Sequence, residues 1–399
     1  AQDLAQAIGD AREQSQRQFH NADLLLEKLI SRGRHIEVQV VADHHGKFLH
    51  LYERDCSAQR RRQKILEEAP ARDIPEDLLQ ALRDSALKLA KAVDYCGVGT
   101  VEFLLEGKDY YLLEMNTRLQ VEHGVTEAVC QLDLVELQLI IAGGEALPFD
   151  QKDISIIGHA IEARIYAEDP TAGFTPSTGT ITAYNPGNRT GLRIDAGVAA
   201  GNCVEHYYDG LLCKLIITAK DRQAATTQLR LAISELQLAG VKTNQQFLCA
   251  VLDSLQWQQQ LSTTAIESDL EGLTQVEPAG KTAQLLLAVA TIHSFLRDPP
   301  AADRHPWPGG YQQARSAKWQ LAGQQHDVSW RWSAAGQFEF PDFDISAVLV
   351  KDNSAEDSLI LEIEGVRKQF RFSRQGETLW LWEKALGNYS LEQTFGSGS

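Results

Sequence analysis

The chain has 399 residues, room for two or three domains, with 43% hydrophobic and 23% charged residues, the composition of a globular protein. A formal net charge of −16 excludes a general nucleic-acid binder but allows a local basic pocket inside an acidic envelope. No signal peptide or long apolar run is present, so no membrane span is expected. Cys56, Cys96, Cys130, Cys203, Cys213 and Cys249 lack disulfide or zinc spacing and read as reduced core thiols.

Residues 1–19 carry Leu4, Ile8 and Phe19 among Ala, Gln, Glu and Arg, and read as a helix. Leu24-Leu25-Leu26 is an apolar run ending in Glu27-Lys28. His35 to Val41 alternates, with Ile36, Val38 and Val40 on one face, and reads as a strand. Asp43–Gly46 is a turn and Lys47–Tyr52 the return strand. Glu53 to Lys64 concentrates Arg54, Arg60, Arg61, Arg62 and Lys64, a set suited to anchoring anions. On charge alone a solvated basic loop is the simpler reading.

Pro75–Val93 has helical periodicity through Leu78, Leu82 and Leu89. Thr100–Leu105 and Asp109–Glu114 flank a Glu-Gly-Lys turn and predict a hairpin in which Glu102 faces Glu114. Tyr110 to Leu113 is apolar on both faces and reads as a buried strand. The chain then runs Glu114-Met-Asn-Thr-Arg-Leu-Gln-Val-Glu122. If extended, this segment aligns Glu114, Asn116, Arg118, Gln120 and Glu122 on one face. Such a row is costly next to a buried strand unless it has partners, and a nucleotide–metal complex would supply them. Glu102, Glu114 and Asn116 are hard oxygen ligands suited to Mg²⁺; an ordinary polar hairpin is the alternative.

Leu132–Ala142 predicts a helix closed by Gly143-Gly144, and Ala224–Leu238 another. Arg164 lies in a strand-like stretch, where an ion pair with Glu162 or Glu168 is the simplest expectation. Thr282–Leu296 is a strongly apolar helix, followed by a Pro-rich break at 299–308 around Trp307. Beyond it, alternating Val328/Trp330/Trp332, Phe338/Phe340, Leu359/Leu361/Ile363, Phe370/Phe372 and Leu379/Leu381 predict short strands of an antiparallel barrel or sandwich. Both ends, opening on Ala1 and closing on Gly-Ser-Gly-Ser, read as those of a fragment.

Together these segments closely resemble the biotin carboxylase component of biotin-dependent carboxylases, a branch of the ATP-grasp superfamily. The resemblance rests on Glu27-Lys28, Arg34-His-Ile-Glu-Val-Gln39, Glu53 to Lys64, Glu67-Glu-Ala-Pro70, Gly99-Thr-Val-Glu-Phe103, Glu114 to His123, Gly158 to Arg164 and Ala167-Glu-Asp-Pro170, and covers roughly residues 1–270. It implies an α+β fold: the C-terminal half of an ATP-grasp domain, a mixed sheet with helices, then a helix plus a small antiparallel β-barrel. The implied division is a lid remnant at 1–26, the carboxylase C-terminal domain at 27–275 and a docking domain ending in a linker at 276–399.

The resemblance also implies roles. Glu27, Lys28, Ile30, His35 and Gln59 match ATP-binding positions. Glu102, Glu114 and Asn116 match the metal set, for Mg²⁺ or Mn²⁺. Lys64, Arg118, Gln120 and Val121 match the bicarbonate pocket. Glu122 matches the base that deprotonates bicarbonate, and Arg164 the residue that stabilises the biotin enolate. Lys64, Arg118, Glu122 and Arg164 are the catalytic group. Three departures stand out: Arg62 replaces a usual His, Gly124 a usual Pro, and the family's N-terminal domain with its Gly-rich phosphate loop is not found.

The helix and strands after 275 resemble the domain by which α-subunits of 3-methylcrotonyl-, propionyl- and geranyl-CoA carboxylases dock a carboxyltransferase β-subunit. That implies a ligase in a hetero-oligomer, in the cytoplasm or in the mitochondrial matrix of a eukaryote. Its biotin would be borne on a carrier domain outside this chain, since the only methionine is Met115 and no Met-Lys-Met motif occurs. Two alternatives are a non-catalytic module that docks the carboxyltransferase and another ATP-grasp ligase.

Overall fold

The computed structural model describes residues 2–259, 261–274, 278–298, 314–333 and 336–394. The Pro-rich stretch 299–308 with Trp307 lies outside them. The elements before the large sheet's last strands are α1 (Gln2–Phe19), β1 (Arg34–Ala42), β2 (Phe48–Arg60), β3 (Gln63–Ala69), α2 (Glu76–Ala92), β4 (Gly97–Glu106), β5 (Asp109–Asn116), α3 (His123–Cys130), α4 (Leu134–Ala142) and β6 (His159–Tyr166). Then come β7 (Leu192–Ala196), β8 (Leu211–Ala219), α5 (Arg222–Glu235), α6 (Gln245–Asp253) and α7 (Lys281–Arg297). Among the described residues no helix is long and apolar enough to cross a membrane, and the six cysteines are free thiols.

An eight-stranded sheet runs in the order β7-β8-β6-β3-β2-β1-β4-β5. Every neighbouring pair in it is antiparallel, a narrower arrangement than the mixed sheet expected from the sequence. The alternation of β1 sends Ile36, Val38 and Val40 into one core with Leu79, Leu82 and Ala86 of α2. Its other face, His35, Glu37 and Gln39, is also buried. Val125 and Val129 of α3 and Leu134, Leu137 and Ile141 of α4 pack on a second core. Helices α5 and α6 cover β6 and β8. Helix α5 ends at Glu235, short of the expected Leu238, because Gln237–Ala239 forms a short strand.

Two further local expectations are corrected. Strand β5 is the sheet's edge, and Leu112 and Leu113 are 53% and 48% exposed, so Tyr110–Leu113 is not a buried strand. The basic stretch Glu53–Lys64 is no solvated loop: it is the β2–β3 hairpin, with Arg54 and Arg60 buried and only Arg61 and Arg62 exposed at its turn. The turn residues carry φ of 47° and 67°, the left-handed conformation a tight reversal demands.

The C-terminal region closes into a barrel of eight strands: β9 (Arg315–Leu321), β10 (Gln324–Trp332), β11 (Gln337–Phe340), β12 (Ile345–Asn353), β13 (Ser358–Ile363), β14 (Val366–Gln375), β15 (Thr378–Glu383) and β16 (Gly387–Gln393). The residues picked out by alternation point inward, save that Trp332 is only partly buried, and Trp319, Leu321, Ala347 and Leu391 join them in the core. Helix α7 completes this core through Leu286, Leu287, Val289, Ala290, Ile292 and Phe295, and its Thr291 hydroxyl accepts a 2.9 Å hydrogen bond from Trp319 Nε1. Closure removes the open strand edges of a flat sheet.

Candidate active site

The polar face of β1 meets β2, β3, β4 and the loop before α3 to form a buried cluster of charges. Arg54, fully buried, donates to Glu37 Oε2 at 2.7 Å, Gln39 Oε1 at 2.6 Å, Thr100 Oγ1 at 3.1 Å and Gln120 Oε1 at 2.8 Å. Lys64 Nζ donates to Glu37, to Glu122 Oε1 at 2.6 Å and to Glu102 Oε1 at 3.2 Å. Arg164 donates to Glu122 Oε2 at 2.8 Å and from Nε to Glu67 Oε1 at 2.6 Å. The carboxylate of Glu122, 2% exposed, thus bridges Lys64 and Arg164.

Electrostatics follow from these contacts. Burial pushes the Glu122 carboxyl up, but Arg54, Lys64 and Arg164 outweigh it and hold it well below the usual carboxylate range. Burial likewise raises Glu102, yet His35, Lys64 and Gln120 bring it down to about 2. Burial lowers Lys64 and Arg164, but the surrounding glutamates raise both. Behind them Glu67 and Glu162 face each other across the β3–β6 ladder, both fully buried. Burial lifts Glu162 well above its ordinary value, and Glu67 adds to this. This is how a low-dielectric site treats like charges.

The predicted residues divide into those that converge and those that do not. Lys64, Glu102, Asn116, Gln120, Glu122 and Arg164 converge. His35 Nε2 lies 2.7 Å from Glu102 Oε2, and its Nδ1 is 2.7 Å from Gln59 Nε2. Glu102 pairs with Glu114 across the hairpin, as expected. The extended row does not continue past Asn116: β5 ends there, and the chain turns so that α3 can start at His123 and bury Val125. Gln120 and Glu122 therefore enter the cluster from the turn, whereas Arg118 is exposed, its Nη1 3.2 Å from the Leu119 carbonyl. The Val121 carbonyl accepts from Lys214. Glu27 is exposed and Ile30 half-buried, while Lys28 donates to Tyr111 Oη at 3.1 Å beside β5.

Arg164 pairs with Glu67 and Glu122, not with Glu162 or Glu168; Glu168 is 3.4 Å from Arg60. Sequence reasoning missed Glu37, Arg54, Glu67 and Lys214. A signal was present, because Glu37 and Gln39 alternate with buried valines in a strand covered on both faces. Gly124 packs so closely that a Cβ there would lie 2.5 Å from Ile216 Cδ1 and 2.8 Å from Glu162 Oε2.

The Glu102–Glu114–Asn116 set offers hard oxygens of the kind a divalent metal takes. Asn116 Nδ2 lies 2.9 Å from Glu102 Oε1 and 3.1 Å from Glu114 Oε1, so two carboxylates already converge on one position. Turning the amide about its last torsion presents a third hard oxygen there. His35, Glu37 and Glu102 also bring ligand atoms within 4.8 Å of one another; Lys64 donates to Glu37 and, with Gln120, to Glu102 Oε1.

The chain is similar to known proteins over the region that holds this cluster. Residues 1–150 match the family model "Carbamoyl-phosphate synthase L chain, ATP binding domain", and residues 162–268 match "Biotin carboxylase C-terminal domain". The chain is 46% identical over 248 residues to the mitochondrial methylcrotonoyl-CoA carboxylase subunit alpha of Rattus norvegicus, covering 62% of this chain and 35% of that one. It is 48% identical over 227 residues to biotin carboxylase 2 of Bacillus subtilis, covering 57% and 51%. The biotin carboxylase domain of Hydrogenobacter thermophilus 2-oxoglutarate carboxylase, solved with MgADP, ADP and bicarbonate, superposes with a TM-score of 0.66 at 37% identity over 69% of this chain and 61% of that one. A biotin carboxylase complex from Campylobacter jejuni gives 0.64 at 39% identity, over 67% and 60%. The chain spans about a third of the rat subunit and half of the Bacillus protein.

Proposed function

From the premise that this chain belongs to the biotin carboxylase family, carrying its ATP-binding and C-terminal domains, we propose that it contributes the ATP- and bicarbonate-dependent carboxylation of biotin. The observation that carries the reading is Glu122, an ionised, buried carboxylate held between Lys64 and Arg164. Glu122 takes the proton of bicarbonate, and the oxygen so exposed attacks the γ-phosphate of ATP, expelling ADP and giving carboxyphosphate, from which the carboxyl group passes to biotin as phosphate leaves. Lys64, Gln120 and the Val121 main chain hold the bicarbonate, with Arg118 meeting it from the exposed side. Arg164 balances the negative charge that develops on the biotin ureido oxygen as N1 is carboxylated. Glu102, Glu114 and Asn116 hold the metal, which when bound neutralises phosphate charge. His35 and Gln59 contact the nucleotide, and Glu27, Lys28 and Ile30 border it at the sheet edge.

The chain divides in this proposal into a lid remnant at 1–26, a carboxylase unit at 27–275 and a docking unit at 276–399. The rat relative is the alpha subunit of methylcrotonoyl-CoA carboxylase, which favours 3-methylcrotonyl-CoA as the acyl substrate. The closed barrel is the proposed seat of a carboxyltransferase β-subunit, and the biotin arrives on a carrier domain. Six free thiols suit a reducing compartment, the cytoplasm or the mitochondrial matrix.

The test measures bicarbonate-dependent ATP cleavage and carboxybiotin formation from free biotin in the same preparation. Arg164→Ala should lower carboxybiotin formed per ATP cleaved, because Arg164 acts after the ATP step. An unchanged ratio would remove Arg164 from the biotin step.

A further inference from the structure

The β3–β6 ladder ends at Ala163, opposite Leu66. Beyond it the main chain of Arg164 and Tyr166 is taken up by one side chain. Asn244, fully buried at the start of α6, donates from Nδ2 to the Arg164 carbonyl at 3.0 Å and accepts from the Tyr166 amide at 2.9 Å. Its own amide donates to the Tyr166 carbonyl at 3.3 Å. Asn244 thus replaces the missing strand partner at the residue that bears the Arg164 guanidinium. Only a short side chain with both a donor and an acceptor can do this.

The neighbouring Gln245 ties Asn244 to the end of α5. Its Nε2 donates to the Ile233 and Leu236 carbonyls at 3.0 and 2.9 Å. The turn between β15 and β16 of the barrel docks on the same spot. Trp382 Nε1 donates to the Ser234 carbonyl at 2.9 Å, and Asn388 Nδ2 to the Leu236 carbonyl at 2.6 Å and to Gln245 Oε1 at 3.4 Å. Gln246 donates back to the carbonyls of Leu386 and Asn388 at 3.4 and 3.3 Å, and Lys384 lies 2.9 Å from Glu235. The last carbonyls of a helix need partners, and the barrel supplies one for Ser234 and another for Leu236, the residue that follows α5.

We propose that Asn244 is a positioning residue for Arg164, and that the barrel turn Trp382–Asn388 buttresses it, so that barrel docking and the biotin step share one hydrogen-bonded support. The proposal rests on the role given to Arg164 above. Loss of the support lets Arg164 shift away from the biotin step while Glu122 keeps Lys64, and with it the ATP step.

The experiment compares Arg164→Ala, Asn244→Ala, Asn388→Ala and Trp382→Phe in the intact protein, reading carboxybiotin formed per ATP cleaved and the KM for free biotin. A variant that only unfolds part of the sample lowers both activities together and leaves the ratio and KM unchanged. Asn244→Ala should lower the ratio about fivefold to tenfold. Asn388→Ala, which removes the bonds to Leu236 and Gln245, and Trp382→Phe, which removes the one to Ser234, both leave the site untouched and should lower it about twofold to threefold. If Arg164→Ala lowers the ratio and the other three do not, this inference is overturned and the role of Arg164 stands. If Arg164→Ala itself leaves the ratio unchanged, both fall.

Discussion

Glu122→Gln isolates the chemistry assigned to the cluster's central carboxylate. Glutamine keeps the shape and one acceptor but cannot take a proton. Loss of a general base costs on the order of 10²–10⁴-fold, or about 3–5 kcal/mol of transition-state stabilisation. The structure sets the stability cost separately. Glu122 accepts two charge-assisted bonds, at 2.6 Å from Lys64 and 2.8 Å from Arg164. Orphaning a buried charge costs about 3–5 kcal/mol. Here neither cation is orphaned, because Lys64 keeps Glu37 and Glu102 and Arg164 keeps Glu67. The cost should therefore be about 1–3 kcal/mol, the worth of one charge-assisted bond. The folded-state carboxyl is depressed, so its contribution is present above an unfolded value of about 4.3 and disappears only in acid. The assay is bicarbonate-dependent ATP cleavage, with ATP affinity by calorimetry and stability by urea denaturation. Turnover within about threefold of the parent, in a folded variant that binds ATP normally, would refute the base assignment.

Two further predictions concern the frame around the site. Burial first, and then Arg83, lower the pKa of His50 from 6.5 to about 4. Between these values the unfolded chain binds a proton that the folded one refuses. Stability is therefore full above about pH 6.5 and falls by on the order of 2 kcal/mol towards pH 4, after discounting for partial solvent access. His50→Gln should flatten that slope in urea titrations at pH 7 and pH 4.5, and an unaltered slope would assign it to other groups. In the barrel, Ile292→Ala removes a fully buried side chain of α7 and should cost about 2–5 kcal/mol. Unfolding followed by tryptophan fluorescence checks it, since Trp319 and Trp330 line the same core; a loss under about 1 kcal/mol would mean that α7 is not integral to the barrel.

Periodicity in the sequence determined much of the fold. The spacing of Ile36, Val38 and Val40 is a property of a strand with one apolar face, and the regular pairs from Val328 to Leu381 encode short strands of a barrel or a sandwich because each alternates; closure decided for the barrel. The apolar repeat of Thr282–Leu296 likewise marks a helix wherever it packs. Among the site residues, Glu102 opposite Glu114 was legible because a short hairpin turn sets the register. What local pattern cannot encode is which distant charges meet. Arg164 sits within two residues of Glu162 and four of Glu168, yet it pairs with Glu67 and Glu122, brought to it by the β3–β6 ladder and the turn before α3. Glu37 was marked only by its alternation with apolar neighbours and Arg54 only as one of a basic set, because only the closed sheet buries their strand faces together. Arg118 left the polar row because α3 had to begin at His123 to cover the core. Asn244 meets Arg164 only because β3 stops pairing with β6 beyond Leu66, and the barrel reaches α5 only through the folded chain. Local spacing decides which face a side chain takes; the packing of remote segments decides what it finds there.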